Sequence, residues 1–132
     1  MGFDVIQTNE APAAIGPYSQ AIRVGSWVFV SGQIGLSPKT GDMVGEGFEG
    51  QARQALDNMK SVLKAAGLTL KDVASVDVFL TDMGQFAIFN GIYQEYFSEH
   101  KPARAVVEVK GLPKWARVEI KCVAFTPQSV NR

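Results

Sequence analysis

Only two stretches of this chain carry a helical stripe, whereas at least four alternate their side chains with period two, and that imbalance constrains the fold more than any other feature. The first stripe covers about Glu49 to Ala66, where Phe48, Ala52, Ala55, Leu56, Met59, Val62, Leu63 and Ala66 recur in steps of three and four. Gly67 supplies a left-handed residue to end it. The second runs from about Met83 to Glu99, with Phe86, Phe89, Ile92, Tyr93, Tyr96 and Phe97 as its buried stripe. Asp82 with Gln85 has the form of a capping box, and Pro102 lies just past the end.

The alternating segments read as strands. Val28 and Val30 alternate with Trp27 and Phe29; Val76, Val78 and Leu80 with Ser75, Asp77 and Phe79. Ala105, Val107 and Val109 alternate with Arg104, Val106 and Glu108; Val118, Ile120, Cys122 and Ala124 with Arg117, Glu119 and Lys121. Each strand therefore has one apolar face and one mixed face. Shorter strands are expected near Val5 and over Ala21 to Val24, and the Gly- and Pro-rich stretches Ala11 to Pro17 and Ser37 to Gly50 read as loops.

The resulting order, β-β-β-α-β-α-β-β, is an α+β arrangement, and 132 residues at roughly 150 per domain make residues 1–132 one domain. Two helices can cover only one face of a five- or six-stranded sheet. The other face is expected to carry Trp27, Phe29, Phe79 and Val106, with Arg104 and Glu119 among them. Such a face is too aromatic for plain solvent and too charged for a simple core, so it reads as an interface. The expectation is a homo-oligomer that packs sheet faces together, with any site built from Arg104 and Glu119 in a cleft between subunits.

Composition narrows the chemistry. Thirteen Lys and Arg balance 13 Asp and Glu, and a net charge of zero argues against a nucleic-acid clamp working by counterion release. One Cys excludes an intrachain disulfide and a Cys-based zinc site, and one His excludes a His-rich metal cluster built from one chain. No run approaches the ~20 apolar residues of a membrane span, and the first residues lack a basic region followed by an apolar one. Ile6 stands where a myristoylation motif needs Ser or Thr. A cytoplasmic protein is the expectation.

The common catalytic motifs are missing. Gly32-Gln33-Ile34-Gly35-Leu36 lacks the Gly-Lys-Ser/Thr ending of a P-loop, and there is neither a dinucleotide-binding glycine pattern nor a Gly-x-Ser-x-Gly elbow. His100, near a helix end, reads as a positive group at a helix C-terminus; Cys122 reads as a packed core thiol. Four polar residues stand out. Arg104 opens a strand and can grip a carboxylate with two parallel hydrogen bonds, or pair with Glu108 or Glu119 in a salt bridge. Glu119 projects to the side assigned to Arg104, where Lys110 or Arg117 is its ordinary partner. Asn90, poor in mid-helix, is there for a hydrogen bond or faces solvent. Tyr18 sits in a Gly-Pro-Tyr loop, as a site residue or as an aromatic plug with a wet hydroxyl.

At these residues the sequence resembles the RidA/YjgF/L-PSP family, over nearly its whole length. The likeness is carried by 11–20 (APAAIGPYSQ), by Ser31-Gly32-Gln33-Ile34 and by Pro38-Lys39-Thr40-Gly41-Asp42. It continues through 51–58 (QARQALDN), then Pro102-Ala103-Arg104-Ala105, Leu112-Pro113 and Val118-Glu119-Ile120. The resemblance implies a fold like chorismate mutase of the bacillus type: a mixed sheet with two helices on one face, three subunits closing into a barrel, and three sites between neighbours. The implied activity is cofactor-free and metal-free hydrolysis of 2-aminoacrylate, 2-iminopropanoate and 2-iminobutanoate to 2-keto acids and ammonia.

Carried onto this chain, the family pattern implies that Arg104 holds the substrate carboxylate and Glu119 orients and deprotonates water. Tyr18 and Asn90 would shape the pocket, with Ser31, Gly32 and the backbone of Val106 lining it. Three departures stand out. Val106 replaces a frequent Cys, Lys110-Gly111-Leu112 lacks an Arg before Leu-Pro, and Lys121 replaces an acidic residue. Two further readings compete. One is a 2-keto-acid sensor without turnover, for which Glu119 is superfluous. The other is an endoribonuclease and translation inhibitor, which neutral charge and a lone His disfavour.

Overall fold

The computed structural model describes residues 2–126. Strands β1 (Asp4–Ile6), β2 (Ala21–Val24) and β3 (Trp27–Gln33) precede helix α1 (Phe48–Ala65); β4 (Val73–Leu80) precedes helix α2 (Phe86–Tyr96); β5 (Ala103–Glu108) and β6 (Val118–Phe125) follow. This is the expected order. The strands form one sheet, β1-β2-β3-β6-β4-β5, in which only the β4–β5 pair is parallel. That pair needs a crossover, and α2 supplies it.

Both helices cover the same face. Ala52, Ala55, Leu56, Met59, Val62 and Leu63 of α1 are fully buried against Val28, Val30, Val76, Val78, Leu80, Val118, Ile120 and Cys122 of the strands, and Phe89, Ile92 and Tyr93 of α2 complete the core. Burying each large side chain of that stripe stabilises the fold by about 1.5–3 kcal/mol. Helix α1 ends as its sequence predicts: Gly67 adopts φ +80°, its N–H donates to Lys64 O, and Leu68 N–H donates back to Leu63 O. These two bonds satisfy carbonyls that the helix would otherwise leave open. No helix among the described residues is long and apolar enough to cross a membrane.

The second helix departs from expectation at both ends. Met83–Gln85 form a turn of 3-10 helix, and Asp82 caps it through Gly84 N–H at 2.8 Å, without the reciprocal bond of a capping box. Glu108 Oε1 accepts from Met83 N–H at 2.7 Å instead. At the other end the cation is Lys101, whose Nζ donates to Phe97 O and Ser98 O; His100 turns inward and its Nε2 meets Val73 O at 2.6 Å.

The uncovered face carries Trp27, Phe29 and Phe79, as expected, with Trp27 and Phe29 44% and 47% exposed. Val106 and Arg104 are not there. Parallel register sets Arg104 beside Val76 and Val106 beside Val78, so both point to the helix-covered side, while Ala105 and Val107 face outward. Valines at both 106 and 107 leave the phase of this strand open to pattern reading, and a one-residue error exchanges the faces.

Helix α1 is seated through one close contact: a Cβ on Gly35 would lie 2.7 Å from Gln51 Cα and 2.9 Å from Gln51 O. Gly35→Ala is therefore expected to cost about 1–3 kcal/mol by overpacking. Urea unfolding measures it, and an unchanged midpoint would mean that this contact yields freely.

Candidate active site

Arg104 leaves β5 under helix α2. Its Nη1 donates to Asn90 Oδ1 at 2.9 Å, and its Cζ lies 4.8 Å from the centre of the Tyr93 ring and 5.8 Å from that of Phe86. Residues 86, 90 and 93 are four and three apart, so a single face of α2 presents all three. Neither ion pair entertained for Arg104 forms: Glu108 is engaged by Met83, and Glu119 lies across the sheet. Among the described residues no carboxylate reaches Arg104 within ion-pair distance. The result is an exposed cation with one nitrogen tied to a neutral acceptor and other donors free, beside a groove of about 370 Å³ lined in part by Asn90, Tyr93 and Lys101.

Glu119 leaves β6 on the uncovered face, opposite Phe79. It rests on Gly32, at an irregularity of β3 between Val30 and Gln33. A Cβ on Gly32 would stand 2.0 Å from Glu119 Oε2, so a side chain there would push the carboxylate out of its present position. Ser31 holds the neighbouring loop, its Oγ donating to Ser19 O at 2.6 Å and its N–H to Gln20 O at 3.0 Å. Tyr18 belongs to that loop; it is 48% exposed and its hydroxyl accepts from Ile15 N–H at 3.3 Å.

The candidate residues thus fall into two groups. Ser31, Gly32, Glu119 and the Tyr18 loop share one neighbourhood, whereas Arg104 and Asn90 share another, with Val106 beside them packed toward the core. Glu119 does not project to the side of Arg104. The two lie two strands apart and about three residues apart in register. With ~4.8 Å between strands and ~3.3 Å per residue, their Cα atoms are roughly 14 Å apart, and the side chains leave opposite faces. One small acid cannot touch both within one copy.

Sequence reasoning passed over the residues that hold these groups in place. Gln20 is buried and accepts from Thr8 N–H while donating to Thr8 O and Pro12 O. Gln51 donates to Gly45 O and accepts from Arg117 N–H; Asn58 donates to Ile34 O and Leu36 O. These amides satisfy irregular backbone where no strand partner exists. For Gln51 and Asn58 the available signal was an amide standing inside or beside the apolar stripe of α1. Cys122 is buried, as expected, and burial pushes its thiol up to about 12. No group of three or more metal-ligating side chains occurs among the described residues.

Burial raises the Glu119 carboxyl above the ordinary carboxylate range, and Lys121 pulls weakly the other way. The folded protein holds this proton more tightly than the unfolded chain does, so stability is lost as pH rises through the raised pKa. Glu119→Gln is expected to melt at a higher temperature than the parent at neutral pH, with the gap closing below the unfolded-state pKa. A gap independent of pH would exclude desolvation as its cause.

Known proteins converge on one family. Residues 8–126 match the family model described as endoribonuclease L-PSP. A RutC family protein of Pyrococcus horikoshii is 51% identical over 92% of this chain and 97% of its own. The human 2-iminobutanoate/2-iminopropanoate deaminase is 48% identical over 92% of this chain and 88% of its own. The crystal structure of Escherichia coli TdcF with bound serine superposes with a TM-score of 0.88, at 42% identity, covering 92% of this chain and 98% of that one. The β3 irregularity over Gly32, the arginine on β5 and the glutamate on β6 lie within the matched span, and the chain belongs to the L-PSP family, the RidA/YjgF proteins.

Proposed function

We propose that the protein is a hydrolytic deaminase that converts 2-imino acids to 2-keto acids and ammonia, without cofactor, at sites shared between copies of the chain. The observation that carries this reading is the separation of Arg104 from Glu119: an unpaired guanidinium and a desolvated carboxylate on opposite faces of one sheet. Joining them around one substrate takes a second copy. The uncovered sheet face, with Trp27, Phe29 and Val107 all more than two-fifths exposed, offers the surface on which copies meet. Three copies closing their sheets into a barrel is the assembly we infer.

The chemistry asks little of the protein. A 2-aminoacrylate tautomerises to the 2-imino acid, whose C=N carbon is already electrophilic. Arg104 binds the carboxylate through two parallel hydrogen bonds, which fixes the imine carbon relative to Glu119 of a neighbouring copy. Glu119 accepts a proton from water as the water oxygen bonds to that carbon, and the proton passes on to the imine nitrogen, giving the neutral carbinolamine. The carbinolamine then collapses: its hydroxyl proton is transferred to the amino group, the C–N bond breaks, ammonia leaves, and the oxygen becomes the keto group. A carboxylate lifted by burial is a better base than an exposed one. Tyr18 and Ser31, at the Glu119 end, would shape the pocket, with the edge backbone at Val106 on the Arg104 side. Two further findings support the reading. Relatives about 48% identical bear the deaminase name, and TdcF binds serine, which offers the same α-carboxylate.

Two measurements test it. A threonine dehydratase feeds 2-aminocrotonate to the protein, and 2-oxobutanoate release is followed above the spontaneous rate. Arg104→Ala is expected to lower kcat/KM by about 30-fold or more, the loss of a charged bidentate contact worth about 2–5 kcal/mol. An undiminished rate would remove the clamp. Light scattering is expected to give roughly three times the 14.3 kDa chain mass; a monomer that retains full activity would rule out the shared site.

A further inference from the structure

The Arg104 guanidinium is held by more than Asn90. Tyr93 lies beneath it, 4.8 Å from ring centre to Cζ, closer than Phe86 at 5.8 Å. Tyr93 is itself closely packed: 9% exposed, stacked on Phe97 at 4.7 Å and 29°, and tilted against Phe89 at 5.6 Å. Phe89, Tyr93 and Phe97 are four apart, so they form a ladder along α2 that locks the middle ring. The Tyr93 hydroxyl is buried with no hydrogen-bond partner. An orphaned hydroxyl costs stability, so whatever this residue does for Arg104 it does through the face of its ring.

The geometry points to Tyr93 as a positioning residue for substrate carboxylate binding: its buried ring is a fixed platform that holds the Arg104 guanidinium in the orientation Asn90 selects, leaving the opposite donors aimed outward. This deepens the reading of Arg104 as the carboxylate clamp and rests on it. Three physical points carry it. A cation over an aromatic face is attracted to the ring without being neutralised, so its full charge is kept for an anion. Asn90 is a neutral acceptor and, by taking Nη1, sets the rotation of the plane. A long side chain already ordered loses less entropy when it closes on its ligand. Burial pushes the phenol up to about 12, so it carries no charge that would compete with the substrate for the guanidinium.

The experiment measures pyruvate binding by calorimetry, steady-state kinetics, and the ring-current shift of the Arg104 side-chain N–H protons by NMR. Three variants, Tyr93→Phe, Tyr93→Leu and Phe86→Leu, are compared with the parent. Tyr93→Phe is expected to bind pyruvate within twofold of the parent and to keep the ring-current shift. Tyr93→Leu is expected to bind about tenfold more weakly, about 1.4 kcal/mol, to raise KM by the same factor with kcat nearly unchanged, and to lose the shift. Should Tyr93→Leu fail to fold, Phe86→Leu, at the half-exposed ring, is expected to weaken pyruvate two- to threefold. Parental affinity in a folded Tyr93→Leu, or in Phe86→Leu if that variant must stand in, overturns the platform. So does a loss in Tyr93→Phe equal to that in Tyr93→Leu, which would transfer the role to the hydroxyl. If the parent itself binds no pyruvate, the deaminase reading fails instead, and the NMR shift still decides whether the ring holds the guanidinium.

Discussion

The structure turns on the parallel pairing of β5 with β4. That register places Arg104 beside Val76, on the face that the helices cover. It follows from the crossover: a helix that joins two adjacent parallel strands must lie over them, so α2 is delivered directly above the residues that β5 turns upward. Arg104 would be intolerable in the middle of that layer. At the edge strand it reaches solvent past the helix, with Asn90 and two rings along its flank. A polar group of the site is thereby built from the rim of the core, where rigidity and exposure coexist.

The other half depends on close approach. The Glu119 carboxylate occupies the place where a Cβ on Gly32 would be, and the backbone of α1 at Gln51 occupies the place where a Cβ on Gly35 would be. Both glycines lie in the irregular end of β3 and the chain just beyond it, which Asn58 pins through Ile34 O and Leu36 O, while Gln51 holds Gly45 further along the same loop. Helix α1 therefore does more than fill the core: two of its polar residues, buried within its apolar stripe, hold the segment that follows the Glu119 platform. Burial of the carboxylate then raises its proton affinity, a cost in stability at neutral pH that fits the base role proposed for it.

These two halves cannot meet within one molecule, and in the assembly proposed above the uncovered aromatic face is where copies would join. A sheet with helices on one side leaves a face on which large apolar side chains such as Trp27, Phe29 and Val107 stay exposed. Its aromatic rings, its glutamate and the edge strand that bears the arginine are what neighbouring copies must bring together if a small acid is to touch both groups.

Much of this was legible in the residues. The stripe from Phe48 to Leu63, the stop at Gly67, the alternation through Val76–Leu80 and Val118–Ala124, and the surplus of strands over helices determined the element order and the existence of a bare face, because periodicity reports how many faces of an element meet a core. The motifs at Arg104 and Glu119 also named the polar residues of the candidate site. Which face each occupies was decided only by the tertiary structure. A strand with valine at both 106 and 107 has no preferred phase on its own; it acquires one from the register with β4 and the weight of α2 above it. The role of His100 was likewise undecidable from its position near a helix end, since a carbonyl of Val73, 27 residues away, claims it. Local pattern sets what each segment can bury, and long-range pairing sets what it is buried against.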